Sequence, residues 1–123
     1  MNSAGAAKAL AGHATGSDIR LKENIINLEN SLDKVLQLQG VLYNRKDREA
    51  NNDRKEIGFI AQDVENIIPE VINPAESNWI EDPEVLRYID YEKITVLLVE
   101  GMKEQQTQIE TLKSEIEELK NGS

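Results

Sequence analysis

The feature that most constrains this chain is a stripe of branched aliphatic residues near its C-terminus. Ile109, Leu112, Ile116 and Leu119 fall at successive a and d positions of a heptad, the spacing of a seam between helices. The same register runs back through Met102, Leu98 and Tyr91, with Gln105 and Thr95 as polar layers. Glu115 at g and Lys120 at the following e are opposite charges placed to pair between parallel helices in register. The spacing predicts one helix from a cap at Asp90 to about Lys120, and a parallel coiled coil over residues 91–120. After Met102 the other faces are polar, so the stripe has nothing else to cover. Ile at a with Leu at d leans towards two strands, so the heptads alone leave the copy number open. A helix laid on the surface of its own domain is the alternative.

The remainder is small. With 123 residues, 4% aromatics and 30% charged residues, the chain favours helix and surface over a large interior. A formal charge of −9 argues against nucleic acid or an anionic membrane as partner. There is no cysteine, which excludes disulfides and thiolate metal sites. His13 is the only histidine, so no zinc site can be built on two histidines of one chain. No apolar run approaches the ~20 residues of a membrane span, and no secretory signal is evident. Neither a metal nor a cofactor is expected.

Residues 1–16 hold six alanines, three glycines and a single formal charge at Lys8. The expectation is a flexible stub of an upstream passenger, or an added tail, followed by one domain over residues 17–123. Ile19 to Leu28 reads as extended. Leu28, Leu32, Val35 and Leu36 share a helical face, with Asn27 as cap and Gly40 past the end. Val41 to Asn44 and Ile57 to Ile60 read as short strands flanking a polar, charged arm from Arg45 to Lys55. Ala61 to Ile68 reads as a short helix stopped by Pro69. Pro69 to Pro83, with Trp79 inside, reads as an irregular projecting loop. Val85 to Ile89 alternates as a strand. The fold class is therefore α+β: a small head of mixed helices and short strands with projecting loops, followed by a long C-terminal helix.

Within Gly16-Ser17-Asp18-Ile19-Arg20-Leu21-Lys22-Glu23-Asn24, a serine precedes a lysine by five residues. Alone, that pair describes two solvated side chains. The order of other motifs gives it weight. Leu32 to Tyr43, then Ile57-Gly58-Phe59-Ile60-Ala61-Gln62-Asp63-Val64 with Pro69-Glu70-Val71, then Tyr88-Ile89-Asp90-Tyr91 leading into Leu97-Leu98-Val99 and Lys103-Glu104, follow it in one sequence. Together these stretches resemble the self-releasing intramolecular chaperone domains that end phage tailspikes and tail fibres, the endosialidases among them. The same type of domain occurs in myelin regulatory factor. Ile26-Asn27 departs from the Thr-Pro pair that relatives often carry, a difference in a turn and not in the Ser–Lys pair.

The resemblance implies a homotrimer that holds an upstream passenger domain of the same polypeptide while the passenger folds. It also implies cleavage between Gly16 and Ser17, with Ser17 as nucleophile, Lys22 as base, and Asp18, Arg20 and Asn24 supporting the motif. The setting implied is the host cytoplasm during virion assembly, the domain being lost from the mature virion. A domain that only trimerises or attaches, and never cuts, is the rival.

Physical chemistry sets two conditions on such a dyad. A lysine acting as base near neutral pH must lower its pKa by ~3 units from ~10.4, through desolvation or nearby positive charge. Arg20 would help and Asp18 and Glu23 would oppose. The second condition is reach. In a strand an offset of five places the side chains on opposite faces ~16 Å apart, and in a helix about 140° apart around the axis. Either a turn lies between Ser17 and Lys22 or the lysine comes from another subunit. A glycine before the serine would leave the carbonyl open and permit strained backbone angles.

The other polar groupings have plainer explanations. Gln62, Asp63 and Glu65 are acidic and polar residues at a helix start. Asp63, Glu65 and Glu70 lack the spacing of a calcium loop. His13 lies in a glycine-rich tail that cannot hold an imidazole against Ser17. Trp79 is either a partner anchor or a core plug.

Overall fold

The computed structural model describes residues 14–47, 53–74 and 84–122. His13, Trp79 and most of the expected stub therefore lie outside the described residues. The architecture is mixed: a 3-10 turn at Ile19–Leu21, α1 at Ser31–Gln37, β1 at Val41–Tyr43, β2 at Glu56–Gly58, α2 at Ala61–Ile67, a second 3-10 turn at Pro69–Val71, β3 at Ile72–Pro74, β4 at Arg87–Ile89 and α3 at Tyr91–Asn121. The strands form two antiparallel pairs, β1 with β2 and β3 with β4. The core is Val64, Ile68, Val71, Ile72, Ile94 and Leu97, with Val35, Leu38, Phe59, Ala61, Ile67 and Ile89 packed around it. So α2, the turn after it and the first turns of α3 make the centre of the head.

The long helix has two apolar faces. Ile94, Leu97 and Gly101 are buried under the rest of the chain, while Leu98, Met102, Ile109, Leu112, Ile116 and Leu119 are all exposed. The head thus lies on one face of α3 and leaves the heptad stripe open. Asp90 stands at the N-cap position as expected, but its carboxylate makes no cap hydrogen bond. Instead its backbone N–H donates to Val71 O at 2.8 Å, which fastens the start of α3 to the core.

Several local expectations need correction. Helix α1 begins at Ser31, not near Leu28, and Asn27 does not cap it. The cap comes from α3: a Glu104 carboxylate oxygen accepts from the Ser31 N–H at 2.7 Å and the Leu32 N–H at 3.3 Å. Asn30, at φ 58°, turns the chain into that position through the left-handed region, which asparagine tolerates. Leu28 and Leu36 are exposed, whereas Val35 and Leu38 pack on the core. Gly40 does lie past the helix end, and the Leu38 N–H closes the last turn on Val35 O. Helix α1 packs over Gly101, where a Cβ would be in ordinary contact with the Val35 side chain at 3.4 Å and the Leu32 Cα at 3.5 Å. Replacing Glu104 with alanine leaves two amide donors without their acceptor. The expected loss is about 1–2 kcal/mol in urea unfolding, with glutamine costing less because it keeps an acceptor.

Strand β2 ends at Gly58, two residues sooner than its sequence suggests. The Phe59 N–H is taken by the Tyr91 hydroxyl at 3.0 Å, so it is not available to a strand ladder. The two rings stack with centroids 6.0 Å apart. Gly58 is required by this contact, because a Cβ would lie 2.7 Å from the Tyr91 hydroxyl. Gly58→Ala is expected to destabilise the fold by about 1–3 kcal/mol. The penalty should shrink in a Tyr91→Phe background, where the hydroxyl is gone, and a double-mutant cycle in urea reads that difference.

Part of the stretch from Pro69 to Pro83 is also more regular than its prolines indicate. Ile72–Pro74 pairs with Arg87–Ile89, Ile72 opposite Ile89 and Asn73 opposite Tyr88. A proline is tolerated here because it sits at the end of a strand in a two-stranded pair. The Arg87 side chain, only 7% exposed, folds inward to Glu65 of α2 at 3.4 Å.

Candidate functional site

Ser17 and Lys22 meet through a turn. The Asp18 side chain caps the Ile19–Leu21 turn by accepting the Arg20 N–H at 2.9 Å. Leu21 N–H then donates to Asp18 O at 3.0 Å, and Lys22 N–H to Ile19 O at 3.1 Å. The expected extended run is therefore broken at its start, and the cause is aspartate bonding the backbone two residues on. This turn brings the Lys22 amine to Ser17: Nζ lies 2.5 Å from Oγ. Of the two routes by which the pair can meet, the structure contains the turn within one chain.

The other motif residues occupy defined places. Asp18 and Arg20 form a two-point fork, Nε to Oδ1 at 3.0 Å and Nη2 to Oδ2 at 2.8 Å. The guanidinium and the Arg20 N–H hold the Asp18 carboxyl down from 3.8 to about 2, and Asp18 raises Arg20 in turn. A depressed carboxyl favours the folded turn above the ordinary carboxylate range, and that contribution is lost as pH falls through about 2. Asn24 turns the chain at φ 54°. Gly16 is not in the left-handed region, and a Cβ there would only touch the Leu21 Cδ1 at 3.5 Å, so no backbone strain requires glycine in this state.

One residue that the sequence did not single out joins the site. The Thr15 hydroxyl donates to Glu92 Oε2 at 3.0 Å, tying the segment ahead of Gly16 to the first turn of α3. Nothing in the local pattern marks a contact between residues so distant in sequence. Ser17 and Lys22 both lie on open surface, and neither lines the groove beside Glu100–Thr107 or the groove between the two hairpins. Among the described residues, Lys22 makes no ion pair. In this arrangement the Lys22 amine donates to the hydroxyl of Ser17, the residue that follows the Gly16–Ser17 peptide bond.

Residues 17–73 match the family model of peptidase S74, described as the chaperone of endosialidase. The chain is similar to that family over this stretch, and the match begins at Ser17. It is also similar to long tail fibre protein Gp37 of Enterobacteria phage K3, 33% identical over 101 residues, covering 81% of this chain and 8% of the relative. Gp37 of phage T2 is 33% identical over 101 residues, covering 81% of this chain and 7% of that protein. Gp37 of phage M1 is 35% identical over 103 residues, covering 80% of this chain and 39% of the relative. The chain thus spans less than a tenth of the first two relatives and about two fifths of the third.

Proposed function

We propose that this chain is a chaperone domain for an upstream segment of the same polypeptide, of the tail fibre or tailspike kind, and that it frees itself by cutting between Gly16 and Ser17. The observation that carries the reading is the Lys22 Nζ to Ser17 Oγ contact of 2.5 Å, at the first residue of the match to a family named for both a peptidase and a chaperone. The tail fibre relatives supply the kind of passenger. Three copies associate in parallel through the exposed heptad stripe of α3 and hold three passenger chains at high local concentration while they entwine. The trimer comes from the family resemblance, since the a and d residues alone suit two strands as well. The work is done in the host cytoplasm during virion assembly, and the released domain is absent from the mature particle.

The cleavage balances as an acyl shift followed by hydrolysis. Ser17 Oγ gives its proton to Lys22 Nζ and bonds to the Gly16 carbonyl carbon. The C–N bond to Ser17 then breaks, the amine leaving with the proton returned by Lys22. Water hydrolyses the resulting ester, regenerating the Ser17 hydroxyl and freeing the Gly16 carboxylate. Release makes the folded passenger kinetically stable, because the assisted route back is gone. Lys22 is exposed in the single chain, so assembly has to remove water from it before it can serve as base.

That same exposure favours the second reading, a trimerisation or attachment domain that never cuts. Intact mass on freshly refolded protein separates the two. The first reading requires loss of residues 1–16 with a new N-terminus at Ser17; a chain that assembles yet stays whole at all times supports the second.

A further inference from the structure

Arg20 and Asp18 stand next to the dyad, and their arrangement raises a question of charge. Asp18 adjoins Ser17 in sequence and Glu23 adjoins Lys22, so two carboxylates stand one residue from the pair, and of the two Asp18 lies on the turn that joins them. A carboxylate that paired with Lys22 would hold the amine in its charged form, the wrong state for a base. In the structure both Asp18 oxygens are occupied: Oδ1 by the Arg20 N–H and Nε, Oδ2 by Nη2. Lys22 meets Ser17 instead, and makes no ion pair among the described residues. The turn that delivers Lys22 and the fork that engages Asp18 are thus one device.

We propose that Arg20 is a positioning residue that masks the Asp18 carboxylate, so that Lys22 is left to the Ser17 hydroxyl and not drawn into an ion pair. This inference rests on the self-cleavage reading and adds to it a residue acting through charge at one remove from the reacting atoms. It separates two jobs of Asp18. The carboxyl oxygen caps the turn, which asparagine also does. The negative charge, by contrast, is a hazard to the base, and Arg20 is what contains it. The low carboxyl pKa of Asp18 agrees with a carboxylate held charged by its fork.

The test uses the whole chain, denatured, refolded and followed by intact mass across a range of pH. Arg20→Ala should slow cleavage about tenfold near neutral pH and move the rising limb of the rate profile up by about one unit, the size of effect expected of an unmasked neighbouring charge. Adding Asp18→Asn to Arg20→Ala should restore both the rate and the profile, since the cap remains and the charge is gone. Circular dichroism and sedimentation on each variant confirm equal folding and assembly; both residues are on the surface. An Arg20→Ala chain that cuts at the parent rate with an unchanged profile overturns the proposal. So does a slowed Arg20→Ala chain that the second substitution fails to rescue, which would make the fork a brace for the turn only. Ser17→Ala in the same series isolates the underlying reading: cleavage without Ser17 removes the dyad itself, whatever Arg20 does.

Discussion

Lys22→Ala should refold, assemble and stay at full length, where the proposed function has the parent chain lose residues 1–16. The expectation follows from the 2.5 Å contact between Nζ and Oγ, the single hydrogen bond made by the amine among the described residues. Removing a general base costs typically 10²–10⁴ in rate, enough to make a process completed during refolding undetectable on the same timescale. Ser17→Ala should be uncut altogether, because the nucleophile is gone. Lys22→Arg is the more informative variant. A guanidinium can still donate to the hydroxyl, but it stays protonated at any pH where the fold survives. If lysine only orients Ser17, the arginine chain cuts; if lysine takes the proton, it does not, and the second outcome is expected. None of these changes touches the core, since Ser17 and Lys22 are both on the surface, so unfolding in urea should remain close to the parent. Cleavage of Lys22→Ala at the parent rate would remove lysine from the chemistry.

What was legible in the chain follows the range of the forces involved. The long helix could be read because its periodicity repeats for 31 residues, and Pro69 marked the end of α2 through a missing donor. The Ser17–Lys22 pair could be named as a candidate from the ordered motifs, and geometry required either a turn between the two or a lysine from another subunit. The turn itself is capped by the Asp18 carboxylate accepting the Arg20 N–H, a local bond that periodicity does not register. The starts of α1 and the end of β2 were misplaced for a related reason. Glu104 supplies the cap of α1 from 73 residues away, and Tyr91 takes the Phe59 N–H across 32. Local preference had no access to either partner. Strand β3 was hidden by its proline, because pairing with β4 overrides a preference that holds only for central strands.

Breaking the stripe of α3 should abolish assembly and, with it, cleavage. Leu112 and Ile116 are 56% and 50% exposed in the single chain, and they lie beyond Thr107, the last residue of α3 that borders the groove beside Leu28. Neither contributes to the core around Leu97, so replacing both with aspartate leaves the head folded. In an assembled seam each change removes about 1.5–3 kcal/mol of apolar burial. Each also places a carboxylate among its symmetry copies, where desolvation and like charge disfavour it further. Sedimentation of Leu112→Asp/Ile116→Asp should therefore show a monomer at micromolar concentration where the proposed function requires a trimer of the parent, with circular dichroism retaining signal from the head. The consequence for chemistry is sharper. The turn that joins Ser17 to Lys22 is local to residues 17–22 and survives in the monomer, whereas exclusion of water from the amine does not. The variant should thus remain uncut with its dyad in place. A monomer that cuts at the parent rate would show that the turn alone prepares the lysine, and that assembly serves the passenger without controlling its release.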